Sequence, residues 1–187
     1  MHTALVSKSA WLLAGIAMTV ASVKAAQTDA CNLLSPEAIH RATGEQISNI
    51  KTTTQTAGKV RQFQCFYILP TFTNSISLTL TGPVGLSRDA AREMWERWFH
   101  RDENDKDRDK DKDKDRGKGE SEEEEAAAKA APVNGVGDEA FWVQSFVGNL
   151  YVRKGNRFLR ISLGGKMNNE ERQARAKALA ADALRRM

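Results

Sequence analysis

An α+β fold, with an antiparallel sheet of about six strands and helices packed on it, is predicted by three observations. Residues 76–81 alternate apolar and hydroxyl side chains as a half-buried strand does, and residues 135–163 are a dense apolar stretch cut into three short segments by turn signals. Each of these strand regions is followed by a capped, helix-periodic segment, and a short capped helix precedes them both. Runs of strands followed by helices favour an antiparallel sheet with helices on its faces over alternating βα units. The predicted order is a short helix followed by two β-β-β-α units, without sequence identity between the two units.

The chain begins with features of an export signal. Lys8 supplies a positive charge, residues 10–23 are uncharged and largely apolar, and Val23-Lys24-Ala25 places small residues where cleavage before Ala26 would require them. Such a segment rises only about 21 Å as a helix, short of the roughly 30 Å hydrocarbon core, so cleavage is preferred to a retained anchor. The expected organisation is a signal peptide over 1–25 and a single domain over 26–187, interrupted by a charged insert at 101–131. Its location is the periplasm or the exterior.

Cys31 and Cys65 are the two cysteines, both beyond the signal, and an oxidising compartment favours their pairing. The rival reading, lipidation of Cys31, meets Thr28-Asp29-Ala30 where an apolar residue at −3 is usual. A bridge would close a loop worth roughly 3–4 kcal/mol in the chain-entropy model.

After Cys31, Ser35 caps a short helix, Pro36 takes its first position and Glu37 complements the positive end of its dipole. Leu34 and Ile39 are spaced as a hydrophobic staple, and Gly44 stops the helix. Residues 50–56 are threonine-rich and polar, as suits an edge strand. Residues 62–69 are apolar on both faces and end at Pro70, predicting a strand covered on both sides. Ile76, Leu78 and Leu80 form the inward face of a third strand. Ser87 then caps a helix whose Ala91, Met94, Trp95 and Trp98 make one bulky stripe for the sheet.

Residues 102–125 carry 13 acidic and 7 basic side chains, about −6, which leaves about +10 on the rest of a chain whose net charge is +4. The segment has no apolar residue larger than alanine and reads as a low-complexity insert, disordered or loosely helical. Asp111, Asp113, Asp115 and Glu122 have the spacing of a calcium loop. Arg116 stands where that loop needs glycine, however, and no metal is expected. The absence of a basic stripe with interleaved aromatics argues against nucleic acid.

Ordered structure resumes at Gly135. Residues 141–147 read as a strand with Phe141, Val143 and Val147 on one side and Trp142, Gln144 and Phe146 on the other. Gly148-Asn149 and Lys154-Gly155-Asn156 read as the turns between three strands. Asn168 or Asn169 caps a last helix whose inner face is Leu179, Ala180, Ala183 and Met187.

No nucleophile elbow, zinc-protease motif, phosphate loop or Cys-x-x-Cys is present, and no cofactor or catalytic residue is expected. His40 and His100 are read as ordinary surface histidines. Asp138 and Glu139 are adjacent carboxylates beside aromatic residues, and Asp138 is expected to serve as a turn former. A candidate ligand or partner surface is assigned to Trp142, Phe146, Asp138 and Glu139.

Four stretches carry a resemblance: C-N-L-L-S-P-E-A-I-x-x-A-T-G from Cys31 to Gly44, Q-C-F-Y at 64–67, G-V-G-D-E-A-F-W at 135–142, and L-Y-V-R-K-G-N at 150–156. Together they resemble exported bacterial envelope proteins of unknown function, in which the two cysteines pair and the domain is similar to PsbP-like α/β sandwiches. The resemblance implies a fold and a compartment but no activity. The expected function is a non-enzymatic binding or accessory domain of the envelope, acting on an unknown envelope protein or small ligand. The alternatives are a small-ligand binder with an apolar pocket near Trp142 and Phe146, and, ranked last, a hydrolase-type enzyme.

Overall fold

The computed structural model describes residues 30–58, 60–83, 87–100 and 130–187, and its architecture is α+β, as expected. Helix α1 spans Pro36–Thr43, α2 Arg88–Phe99 and α3 Asn169–Arg186. Seven strands, β1 Asn49–Ala57, β2 Val60–Ile68, β3 Ile76–Pro83, β4 Ala130–Pro132, β5 Glu139–Val143, β6 Asn149–Lys154 and β7 Arg157–Leu163, form one sheet in the order β1-β2-β3-β7-β6-β5-β4. Every pairing is antiparallel. Two meanders are therefore joined by a single ladder in which Ile76 faces Leu163 and Thr81 faces Phe158.

The strand beyond the expected six is β4, which consists of the last two residues assigned to the insert plus Pro132. Ala130 pairs with Val143 and Ala131 with Trp142. The remainder of the insert, including the calcium-like spacing, and the signal region lie outside the described residues.

Alternation along the strands separates two cores. One face carries Cys65, Tyr67, Ile76, Leu78, Leu80, Ala140, Trp142, Leu150, Val152, Leu159, Ile161 and Leu163, which pack with α1 and α3. The opposite face carries Phe141 and Phe158, which pack with Ala91 and Trp95 of α2. Trp95 is fully buried, with ring centroids 5.3 Å from Phe158 and 6.1 Å from Phe141, so the bulky stripe serves packing. β2 is less covered than its composition implies. Cys65 and Tyr67 are buried, but Phe63 and Phe66 are only half-buried, and Phe66 leans on the exposed Phe72 at 6.0 Å.

All three expected caps are made. Ser35 Oγ accepts from the Ala38 N–H, Ser87 Oγ from Ala90 and Asn168 Oδ1 from Glu171. Gly44 ends α1 in the left-handed region at φ 78°, and its N–H donates to the His40 carbonyl. The Cys31–Cys65 disulfide fastens the 3-10 turn Ala30–Asn32 to β2, and the Tyr67 hydroxyl donates to the Cys31 carbonyl at 3.0 Å.

Asp182 is a charged residue on the inner face of α3, only 5% exposed. Its Oδ2 accepts from the Ser35 N–H at 3.1 Å, its Oδ1 accepts from Arg185 at 2.6 Å, and Arg186 lies 3.5 Å away. Burial acts to raise its pKa, but the Ser35 N–H and the two arginines outweigh it and hold the carboxyl below the ordinary range. A depressed native pKa contributes stability that is fully present above the unfolded value of about 3.9 and is lost as pH falls through the native one. Asp182→Ala should therefore destabilise the fold by about 1–3 kcal/mol at neutral pH, the cost of a buried N–H left without an acceptor. Urea titrations at pH 7 and pH 3 should show the wild-type advantage over the variant shrinking in acid.

Candidate functional site

The G-V-G-D-E-A motif sits where the chain enters β5, and each of its residues has an assignable physical role. Gly135 and Gly137 adopt φ 79° and 64°, conformations that favour glycine. At Gly137 a side chain would also force its neighbours to shift, because a Cβ would fall 2.4 Å from Val152 Cγ1 and 2.6 Å from the Arg153 carbonyl oxygen. The chain thus lies directly on β6 at this point, and the Asp138 N–H donates to that same Arg153 carbonyl at 2.8 Å.

Asp138 then reaches the β6–β7 turn, 17 residues ahead. Its Oδ2 accepts from the Gly155 N–H at 2.6 Å, with Lys154 Nζ 3.4 Å from Oδ1 and Arg153 Nη1 3.9 Å from Oδ2. The Gly155 N–H, with smaller contributions from Lys154 and Arg153, holds its carboxyl below the ordinary range. Asp138 is thus a turn former, as expected, but the turn it secures is the following hairpin rather than its own.

Glu139 points to the other face, toward the end of α2. Its Oε1 lies 2.6 Å from His100 Nε2, and its Oε2 lies 3.5 Å from Arg153 Nη2. His100 caps α2 through its N–H to the Glu96 carbonyl, and its ring sits edge-on to Phe141 at 5.4 Å. Asp138, Glu139, His100 and Arg153 therefore form one charged cluster on the rim where α2 meets β5 and β6. The side chains of His100 and Glu139 are 42% and 26% exposed, which places them at a surface seam rather than on the floor of an enclosed cavity. The cluster ties the end of α2 to the sheet.

Trp142 and Phe146, assigned by sequence to one surface, are separated. β5 ends at Val143, so the alternation expected through Val147 breaks off and residues 144–148 form a connecting loop. The two-residue turn expected at Gly148-Asn149 is this longer loop, and Asn149 already belongs to β6. Trp142 is a core residue, 3% exposed, whose indole N–H donates to Asn169 Oδ1 at 3.0 Å at the start of α3. Its ring fills the space beside Gly148, where a Cβ would come within 2.3 Å of Cζ2. Trp142 therefore cannot meet a ligand at the surface, because α3 and its own loop cover it.

Phe146 is 99% exposed and Val147 37%. Ser145 closes this loop, with Oγ accepting from the Gly148 N–H at 3.1 Å and from Asn149 Nδ2 at 3.2 Å. An apolar ring is thus held out in solvent by a hydrogen-bonded turn.

Among the described residues, no three His, Cys, Asp or Glu side chains are grouped so that they could hold a metal ion. None of the described helices is long and apolar enough to cross a membrane. Comparison of the chain with family models, with curated proteins and with solved structures returned no match in any of the three.

Two substitutions test the motif. Gly137→Ala should destabilise the domain severely, because the methyl group must displace the β6 backbone; a melting temperature unchanged from wild type would contradict that packing. Asp138→Asn should lower stability modestly at pH 7 and have no effect once the pH is below the native pKa of the wild-type aspartate, since that stability exists only while the carboxylate is ionised. Thermal melts of both proteins across pH 3–7 should show the difference between them shrinking as the pH falls.

Proposed function

We propose that this chain is an exported, non-enzymatic accessory domain of the bacterial cell envelope, and that it binds a partner protein through the loop carrying Phe146. The observation that carries this reading is the presentation of that ring. A phenylalanine left wholly in water gives up roughly 1.5–3 kcal/mol of burial that the fold could otherwise gain. Aromatic anchors of this kind are what protein interfaces bury at their centres. The Ser145 bonds hold the loop in shape before it meets a partner, which reduces the ordering cost of binding.

The Cys31–Cys65 disulfide supports the exported location, since such bonds persist in oxidising compartments. The His100–Glu139 contact is better read as packing than as acid–base machinery. Arg153 also engages Glu139, and the histidine closes a helix.

The partner loop is tested by comparing wild-type protein with Phe146→Ser in affinity capture from envelope extract, followed by titration of the captured protein. Phe146→Ser should keep the wild-type melting temperature and lose at least tenfold in affinity, in line with a buried aromatic anchor. Equal affinity for both proteins would reject the loop as the contact. Export is tested separately, by the cell fraction in which the protein is recovered and by thiol labelling without reductant. Two reactive cysteines would exclude the bridge on which the compartment argument leans.

A further inference from the structure

The two edges of the sheet are built differently. β4 closes one edge with three residues and ends in Pro132, which has no N–H to offer a further strand. β1 closes the other edge with nine residues, N-I-K-T-T-T-Q-T-A, without proline and with Lys51 as its single charge. Residues 49–56 are exposed throughout, so neither helix layer covers this strand. Alternate residues of an antiparallel strand turn their N–H and C=O groups to the same side. One alternate set in β1 therefore faces β2, and the other faces outward. Such an edge readily accepts another strand.

We infer that the β1 edge is a self-association surface, on which β1 of a second copy pairs antiparallel about a two-fold axis at Thr53. This is the one antiparallel register that pairs all nine residues. It sets Thr52 against Thr54, Lys51 against Gln55, Ile50 against Thr56 and Asn49 against Ala57. Like charges directly opposite one another destabilise a ladder, and here each lysine meets an amide instead. Centring the axis on Lys51 would place two ammonium groups face to face, so charge selects between these registers as well as overlap. Threonine and isoleucine also have high preference for paired strands. The contact is isologous and consumes the long edge of both copies, and the edges that remain are the short β4 strands with their prolines. The product is accordingly a closed dimer, with no edge among the described residues suited to growing a filament. The inference stands apart from the Phe146 loop, which joins β5 to β6 toward the opposite edge.

Sedimentation equilibrium on the full chain tests it from micromolar to millimolar concentration. The expected mass is twice that of the monomer at the upper end of the range. Thr53→Lys puts two lysines across the axis and should return the monomer mass with an unchanged circular-dichroism spectrum. Thr53→Cys alone should give a covalent dimer on mild oxidation. Gln55→Cys alone should not, because its symmetry mate lies about 13 Å further along the ladder, beyond disulfide reach. A monomer at every concentration overturns the inference, including one that instead takes up an extended peptide along β1. A dimer that survives Thr53→Lys, or equal cross-linking by the two cysteine variants, overturns it as well. Should Thr53→Lys fail to fold, the cysteine pair still decides.

Discussion

A single buried carboxylate joins the first helix to the last. Asp182 lies within the apolar stripe of α3 and accepts the backbone N–H of Ser35, the residue that caps α1. Taking a charge out of water is costly, and it persists only where donors compensate it. Here one donor is the start of α1 itself, so the position of that helix and the ionisation of Asp182 depend on each other. The Cys31–Cys65 bridge holds the neighbouring turn to β2. Between them, a covalent link and a charged hydrogen bond fix the helical layer that covers one face of the sheet.

The second half of the sheet is held by a comparable economy of residues. Gly137 lets the chain lie against β6, Asp138 reaches forward to the Gly155 N–H, and Glu139 turns the other way to meet His100 and Arg153. Three consecutive residues thus serve a strand entry, the hairpin turn beyond the neighbouring strand and the end of a helix on the far face. The distinctiveness of the motif is therefore explained by architecture. The loop after β5, which the motif does not include, carries Phe146, the most exposed apolar ring among the described residues.

The elements that were legible in the sequence were those specified locally. Ser35, Ser87 and Asn168 each precede a helix-periodic segment, and the alternation of Ile76, Leu78 and Leu80 reports a buried face directly. Three features were not legible, each for its own physical reason. β4 has only Ala-Ala-Pro at the end of a charged run, so it offers no alternation to detect. The end of β5 is not marked in the sequence because Gln144–Val147 continues a plausible alternation, whereas the chain bends at Ser145 and Gly148. His100 meets Glu139 across 39 positions in the charged cluster, Asp182 separately accepts from Ser35 across 147, and no local pattern encodes such contacts. An aspartate between apolar helix residues ordinarily reads as solvent-facing, so the pattern of α3 does not place Asp182 on its inner face, where it lies.

The joining of the two meanders by β3 and β7 alone also bears on how fast the fold can assemble. Hairpins β1–β2, β5–β6 and β6–β7 connect residues close in sequence and can form on the microsecond scale. The β3–β7 ladder instead brings together Ile76 and Leu163, and the bond between Ser35 and Asp182 spans 147 positions. These distant closures must carry the loop-ordering entropy before any contact repays it, so they belong to the slow, rate-setting step. Substitutions in the β3–β7 ladder should accordingly slow folding, while those in the outer hairpins should act chiefly on unfolding.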